Sequence, residues 1–460
     1  MESIFKRAKT DDEELRFQEK RLIPSVMIEQ TSAVLLGIIN VMVVGTVSSA
    51  ALAGVGQVNT VNNMVVYFFN AFAMGGTVMV AQNIGAHHTA NARKSAAQSL
   101  LLGLYLSIFV TAMLFVFRAP FLSMLFGKVD ADVMAYSLDY FLFSNLATPF
   151  WFINFQCAGA MRGAGDTRTP MRISLIMNAF NIVFSVLFVM VLGLGPRGAG
   201  LATFLSVGIG SALSLYTMFY PTYILCLRGS FTLKLQWSAA KAVTSVGIPA
   251  ALENLMFNGG KVIVQVFLAG MGTVMISAYQ VSISAINLLQ IPMSALNVLV
   301  VTLVGQRAGA GDRERTYRAL DYVWCKGFVW SLWIGAASIA ACYPIALLFS
   351  RDPAVLKVAC GLIIIFGVSM PFWSPAFIIP SGFRGARNIA FTMVVGTISM
   401  WVFRVFGSYV LGVVCHLAAY GIYIAMVLDW IVRTIPFVIH LKNHKWLRAV
   451  SALPSEQAQP

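Results

Sequence analysis

Twelve apolar stretches follow one another along the chain, separated by short polar breaks. They read at about 22–45, 59–84, 95–117, 133–158, 170–194 and 199–226, then 242–269, 278–305, 321–348, 355–382, 390–414 and 418–440. A bilayer crossing needs about 20 apolar residues as a helix. The runs do not alternate as barrel strands do, and a helix satisfies its own backbone in lipid. Only 11% of the 460 residues are charged, against about 25% in soluble domains. That excludes a water-soluble enzyme, and the 58% hydrophobic content excludes a disordered chain. The expected fold is an all-α polytopic membrane protein of twelve transmembrane helices in two six-helix repeats.

The formal net charge is +14. In a membrane protein this speaks of orientation, and no nucleic-acid partner is expected. Cytoplasmic loops collect Lys and Arg. The N-terminal segment, the even-numbered loops and the C-terminal end hold 24 of them, the odd-numbered loops 5. Both termini are therefore expected in the cytoplasm, in the inner (plasma) membrane. The implied organisation is a cytoplasmic segment 1–21, an N-lobe 22–226, a cytoplasmic linker 227–241, a C-lobe 242–440 and a cytoplasmic tail 441–460. The first 21 residues lack the apolar core of a signal peptide, and Thr10-x-x-Glu13 has the spacing of a capping box. The six cysteines show no CxxC spacing, so neither a disulfide framework nor a zinc site is indicated. His440 and His444 are four apart, but no metal site is expected from that spacing alone.

The two halves repeat. Pro149-Phe150-Trp151 and Arg162-Gly163-Ala164 recur as Pro371-Phe372-Trp373 and Arg384-Gly385-Ala386, an offset of 222. Gln82-x-x-Gly85-Ala86 recurs as Gln306-x-x-Gly309-Ala310, at 224, and Pro24 and Gly45 recur as Pro249 and Gly270, at 225. Six spans per copy give both copies the same orientation. Parallel repeats are a transporter architecture, with substrate held near the midplane. Pro149 and Pro371 fall inside their spans, where each removes a hydrogen bond and kinks the helix. With Arg162, Gly163, Arg384 and Gly385 they are candidate hinges; packing geometry is the competing reading.

The repeat, the Arg162-Gly-Ala-Gly-Asp-Thr-x-x-Pro170 turn, Ala81-Gln82-x-x-Gly85-Ala86 and Asn181-Ile182 together resemble the multidrug and toxic compound extrusion (MATE) transporters over about residues 22–440. The resemblance implies two lobes, alternating access, and export of organic, cationic compounds in exchange for H⁺ or Na⁺. It implies no catalytic residue and no cofactor beyond that ion. Helix 7, Gly247-Ile-Pro249-x-x-Leu252-Glu253-Asn254, is similar to a bacterial branch other than the NorM or eukaryotic ones. The carboxylates usual in the family are missing. Asn40 stands where helix 1 commonly has Asp, Ser185 where helix 5 does, and Trp373 where helix 10 of the NorM-like branch does. Asn40, Asn181 and Ser185 can ligate Na⁺ or hydrogen-bond a substrate, but they cannot take up a proton.

A charge at bilayer depth costs roughly 2.5–3.5 kcal/mol on insertion scales, so each one needs a reason. Glu253 lies about 16 Å into helix 7 and Lys261 about 12 Å further, too far apart for a simple pair. Glu253 is a candidate proton or cation site, or a packing carboxylate. Lys261 is a candidate for holding an anionic substrate or standing in for a cation. Glu29 is shallower and, set against Pro24 and Pro249, is rotated about 100° from being the mate of Glu253. Arg404, Asp429 and Arg433 are expected to form a cluster joining helices 11 and 12. Asn178, Asn254 and Gln280 complete the candidate binding set; such amides either bridge spans or line a wet cavity.

The expected partners are small organic molecules and the lipid bilayer, for a monomeric protein. A lipid-linked oligosaccharide flippase of the same superfamily and an exporter of one specific metabolite stay open. A major-facilitator transporter would need Gly-x-x-x-Asp-Arg in the helix 2–3 loop, where this chain has Gly85-Ala-His-His-Thr-Ala. An intramembrane enzyme would need clustered catalytic groups, and the sequence has none.

Overall fold

The structure, a computed structural model, describes residue 7 and residues 12–127, 130–229, 231 and 234–450. Helices account for all twelve expected spans. The first half contains α1 (Glu13–Gly45), α2 (Ser49–Gly85), α3 (Thr89–Val116), α4 (Ala131–Leu146 and Thr148–Gly163), α5 (Arg168–Ser185, continued by a π-helical Val186–Val191) and α6 (Gly195–Phe219). The second half contains α7 (Trp237–Ala269), α8 (Thr273–Leu289 and Ile291–Gly309), α9 (Arg313–Ala340), α10 (Pro353–Gly385), α11 (Ile389–Ile398, then π-helical Ser399–Phe406 and Tyr409–Val414) and α12 (Ala418–Lys442). Among the described residues, ten helices are long and apolar enough to cross a membrane. The other two spans are α4, cut into two 16-residue pieces, and α7, whose hydropathy is lowered by Glu253, Asn254, Asn258 and Lys261.

Thr10 of the expected capping box lies outside the described residues. Asp12 does the capping: its Oδ1 accepts the N–H groups of Glu14 and Leu15 at 3.1 and 3.2 Å, two of the donors a helix start leaves unpaired. The sixth span ends at Phe219, short of the expected 226. Tyr220 precedes Pro221 and is extended (φ −70, ψ 130), as the proline ring demands. The linker is displaced from the expected 227–241 to 220–236, because the sixth span stops early and α7 already begins at Trp237.

By internal contacts the chain divides into two units. One holds Ile28–Ile84 and His88–Ala251; the other holds Met1–Met27, Gly85–His87 and Leu252–Pro460. Each is built alike. In the first, α4 packs on α3 and α6, and α5 on α6; in the second, α10 packs on α8, α9 and α12. The repeat glycines sit at close helix crossings. A Cβ on Gly163 would lie 2.7 Å from the carbonyl of Thr77, and one on Gly385 3.0 Å from that of Val301. Small residues permit this approach in membranes. Gly85 and Gln306, from the two copies of the Gln-x-x-Gly motif, touch: a Cβ on Gly85 would lie 1.7 Å from the Gln306 carbonyl.

The turns closing these motifs each need a left-handed residue. Gly311 (φ 75) in the second half and Gly165 (φ 86) in the first supply it, while His87 (φ 62) in the first and Arg387 (φ 64) in the second occupy the equivalent places. A side chain there costs roughly 1–2 kcal/mol, partly offset by the looser unfolded chain of a glycine. His87→Gly and Arg387→Gly are each expected to raise stability by about 0.5–1 kcal/mol. Thermal unfolding in detergent checks this, and a fall in both variants would refute it.

Candidate functional site: paired charges in each unit

Glu29 on α1 and Arg162 at the end of α4 form an ion pair, Nη2 to Oε1 at 2.5 Å. Glu253 on α7 and Arg384 at the end of α10 form another at 3.1 Å. The two are repeat mates: the arginines are 222 apart, the glutamates 224. Both are mostly withdrawn from solvent, with side chains 13–19% exposed. The rotation argued from the prolines is therefore corrected. The prolines are one residue out of step with the glutamine motif, and a long arginine reaches whichever carboxylate faces it. Glu253 has a further partner in Thr392, whose hydroxyl lies 3.5 Å from Oε2. Gly396 leaves the space its carboxylate fills, since a Cβ there would come within 3.1 Å of Oε1.

In the first unit the Glu29–Arg162 pair lines a cavity of about 630 Å³ together with Asn40, Asn154, Asn178 and Asn181. The amides are already engaged. Asn40 Nδ2 donates to Asn181 Oδ1 at 3.1 Å, Asn181 Nδ2 to Ser206 at 2.9 Å, Ser185 to Asn40 Oδ1 at 3.3 Å, and Asn178 Nδ2 to Ser32 at 3.0 Å. This network ties α1, α5 and α6 together just before the π-helical turn of α5. The bridging role expected of amides is seen again at Asn154, which donates to the Val207 carbonyl and accepts from Ser214.

In the second unit Asp429 is fully buried and accepts from Arg433 at 2.8 and 3.1 Å and from Ser399 at 2.5 Å, with Arg404 at 3.9 Å. The structure thus brings Arg404, Asp429 and Arg433 together across α11 and α12. Arg404 lies in a π-helical stretch, which recurs at functional positions in helices. Lys261 Nζ lies 4.7 Å from the centre of the Phe257 ring, and the same ring has Arg404 at 5.8 Å and Arg433 at 5.4 Å. The sequence pattern did not reveal this aromatic meeting point. Gln280 is exposed and joins neither group; Asn254 sits beside Glu253, its carbonyl accepting from Asn258.

The candidate hinges separate. Pro149 stands at the start of the second piece of α4, after a break at Ala147. Pro371 lies within an unbroken α10 that also contains Pro375 and Pro380. Arg162 and Arg384 are ion-pair partners, and Gly163 and Gly385 are close-packing points. His440 stacks on Phe391 at 4.1 Å and meets Asn388 at 2.9 Å, whereas His444 lies against Tyr317.

The MatE family model matches residues 25–187 and again 249–410, one match per repeat. Relatives include the probable multidrug resistance protein NorM of Thermotoga maritima, 26% identical with 96% of each chain covered. Another is the protein of the same name in Bacillus subtilis, 24% identical over 88% of this chain and 90% of that one. Relatives named NorM thus appear despite the α7 pattern, which does not set this chain apart from proteins of that name. Among solved structures, an outward-facing multidrug resistance MATE family transporter of the MOP superfamily superposes with TM-score 0.86 at 18% identity, covering 96% and 98% of the two chains. A MOP superfamily transporter from Pyrococcus furiosus, described by the reverse polarity of its binding pocket, superposes with TM-score 0.85 at 20% identity, covering 94% and 96%. These likenesses define the two-lobe fold of a multi-pass membrane transporter. The chain belongs to the MatE family.

Proposed function

We propose that this protein is a secondary active exporter of organic compounds, working by alternating access between its lobes and driven by inward movement of H⁺. The observation that carries this reading is the repeated Glu–Arg pair. A proton on Glu29 or Glu253 cancels the charge that holds the arginine and so breaks the pair. A Na⁺ ion arriving at the same carboxylate would meet the guanidinium's repulsion. A carboxylate–arginine latch in each lobe therefore suits H⁺ better than Na⁺ as the coupling ion. The charge distribution of the loops supports an inner-membrane protein with both termini cytoplasmic, acting as a monomer on small molecules from the cell or the bilayer. Cationic substrates are not carried into this reading. Glu29, Glu253 and Asp429 each already face an arginine, and Asp139, also within a span, pairs with Arg197 at 2.9 Å.

The test is efflux of ethidium and of fluorescein from cells expressing the protein, with pH or Na⁺ gradients imposed. Efflux of either dye that follows the pH gradient is the expected result. Efflux that follows only Na⁺ would overturn the choice of ion, and no efflux of either dye from well-expressed protein would overturn the exporter reading.

A further inference from the structure

The geometry points to a binding site for the negative group of an aromatic organic anion in the second unit, formed by Lys261, Arg404 and Arg433 around Phe257 and Phe377. Three cations converge on the Phe257 ring, and among the described residues Asp429 is the one carboxylate that pairs with them. That leaves one arginine charge without a carboxylate where little solvent reaches, the side chain of Arg404 being 11% and that of Arg433 5% exposed, with Lys261 adding a further positive charge on the same ring. An unbalanced charge at such depth is costly. Arginine cannot shed its proton to escape that cost. Mutual repulsion on one ring makes the arrangement more costly still, so the missing counter-charge is most simply supplied by a ligand.

Two further observations point the same way. Arg433 is 4% exposed and sits between the Phe257 and Phe377 rings at 5.4 and 5.3 Å, yet its Nε has no hydrogen-bond partner among the described residues. Trp430, one turn away and 3% exposed, packs edge-on to Phe377 with its indole N–H also unpartnered. Two buried N–H groups that meet no acceptor among the described residues fit a ligand that brings oxygens. Lys261, by contrast, is exposed, which leaves its ammonium free to meet a ligand. The aromatic walls favour a flat ring carrying the charge, through stacking. A carboxylate or sulfonate matches the donor set, because guanidinium groups bind such anions by paired hydrogen bonds. This inference deepens the exporter reading and rests on it only for the statement that the anion is cargo.

The experiment is equilibrium binding of fluorescein, followed by anisotropy, to the purified full-length protein, with rhodamine 6G as a cationic counterpart of similar shape. Wild type is expected to bind fluorescein saturably. Lys261→Met and Arg404→Gln should each weaken that binding by roughly tenfold or more, the scale of one lost charge-assisted contact. Lys261→Arg should retain it, and rhodamine 6G binding should not fall in any variant. Lys261 is exposed, so its replacement leaves the packed interior intact, and thermal unfolding checks Arg404→Gln. No saturable fluorescein binding to wild type, or equal binding by wild type and folded variants, overturns the site. Fluorescein binding without gradient-driven movement in proteoliposomes removes the exporter reading and leaves the site standing. Ethidium efflux without fluorescein binding does the reverse.

Discussion

Asp429→Asn is expected to destabilise the protein by about 3–5 kcal/mol, the cost of breaking a buried pair from one side. Asp429 is wholly buried and holds Arg433, Arg404 and Ser399 at once. Asparagine keeps the shape and one acceptor but removes the negative charge. Three cations then share the Phe257 neighbourhood with nothing to balance them. Thermal unfolding in detergent measures the loss, and a fall below about 1 kcal/mol, the worth of an exposed pair, would show that water reaches the cluster. The double variant Asp429→Asn with Arg433→Gln should recover much of the loss, because contacting residues couple rather than add. No recovery would mean that Asp429 acts mainly through Ser399 and the α11–α12 contact.

The fold was largely legible because the bilayer leaves few choices. Apolar runs must be helices, and duplicated motifs fixed the two sets of six. The cluster at Arg404, Asp429 and Arg433 was legible for a similar reason: charges of opposite sign at one depth on successive helices have little else to bind. The Glu–Arg pairs are carried by the sequence only faintly. Glu29 and Glu253, and Arg162 and Arg384, lie at offsets within two residues of each other, but the prolines, one residue out of step, hide the match, because they mark local backbone geometry rather than side-chain partners. Nor did sequence spacing show that Phe257 would gather three cations, because two of them come from helices more than 140 residues away. The break at Ala147 beside Pro149, with Pro371 left inside a continuous helix, was equally hidden. A proline removes one donor wherever it falls, and the surrounding packing decides whether the helix stops there.

Glu253→Gln is expected to reduce gradient-driven efflux by about tenfold or more while leaving the protein folded. Glutamine imitates the protonated carboxyl, so the latch to Arg384 stays weakened whatever the external pH. If the pair holds one of two lobe conformations, its loss shifts their balance, and each 1.4 kcal/mol of lost preference moves that balance tenfold. A transporter fixed on one side of its cycle binds cargo but does not return for more. Fluorescein binding by Glu253→Gln should therefore stay near the wild-type level, since Glu253 lies two helical turns from Lys261 and pairs elsewhere. Efflux should also lose its dependence on the pH gradient. Glu29→Gln provides the comparison. An equal loss there would assign coupling to both copies of the latch, and a small effect would confine it to the second. Gradient-dependent efflux at the wild-type rate in both variants would dismiss the latches as coupling elements, leaving them as ion pairs that fasten α1 to α4 and α7 to α10. That outcome would also return the question of the coupling ion to Asn40, Asn181 and Ser185, which offer Na⁺ neutral oxygens in a cavity whose one lining carboxylate is Glu29.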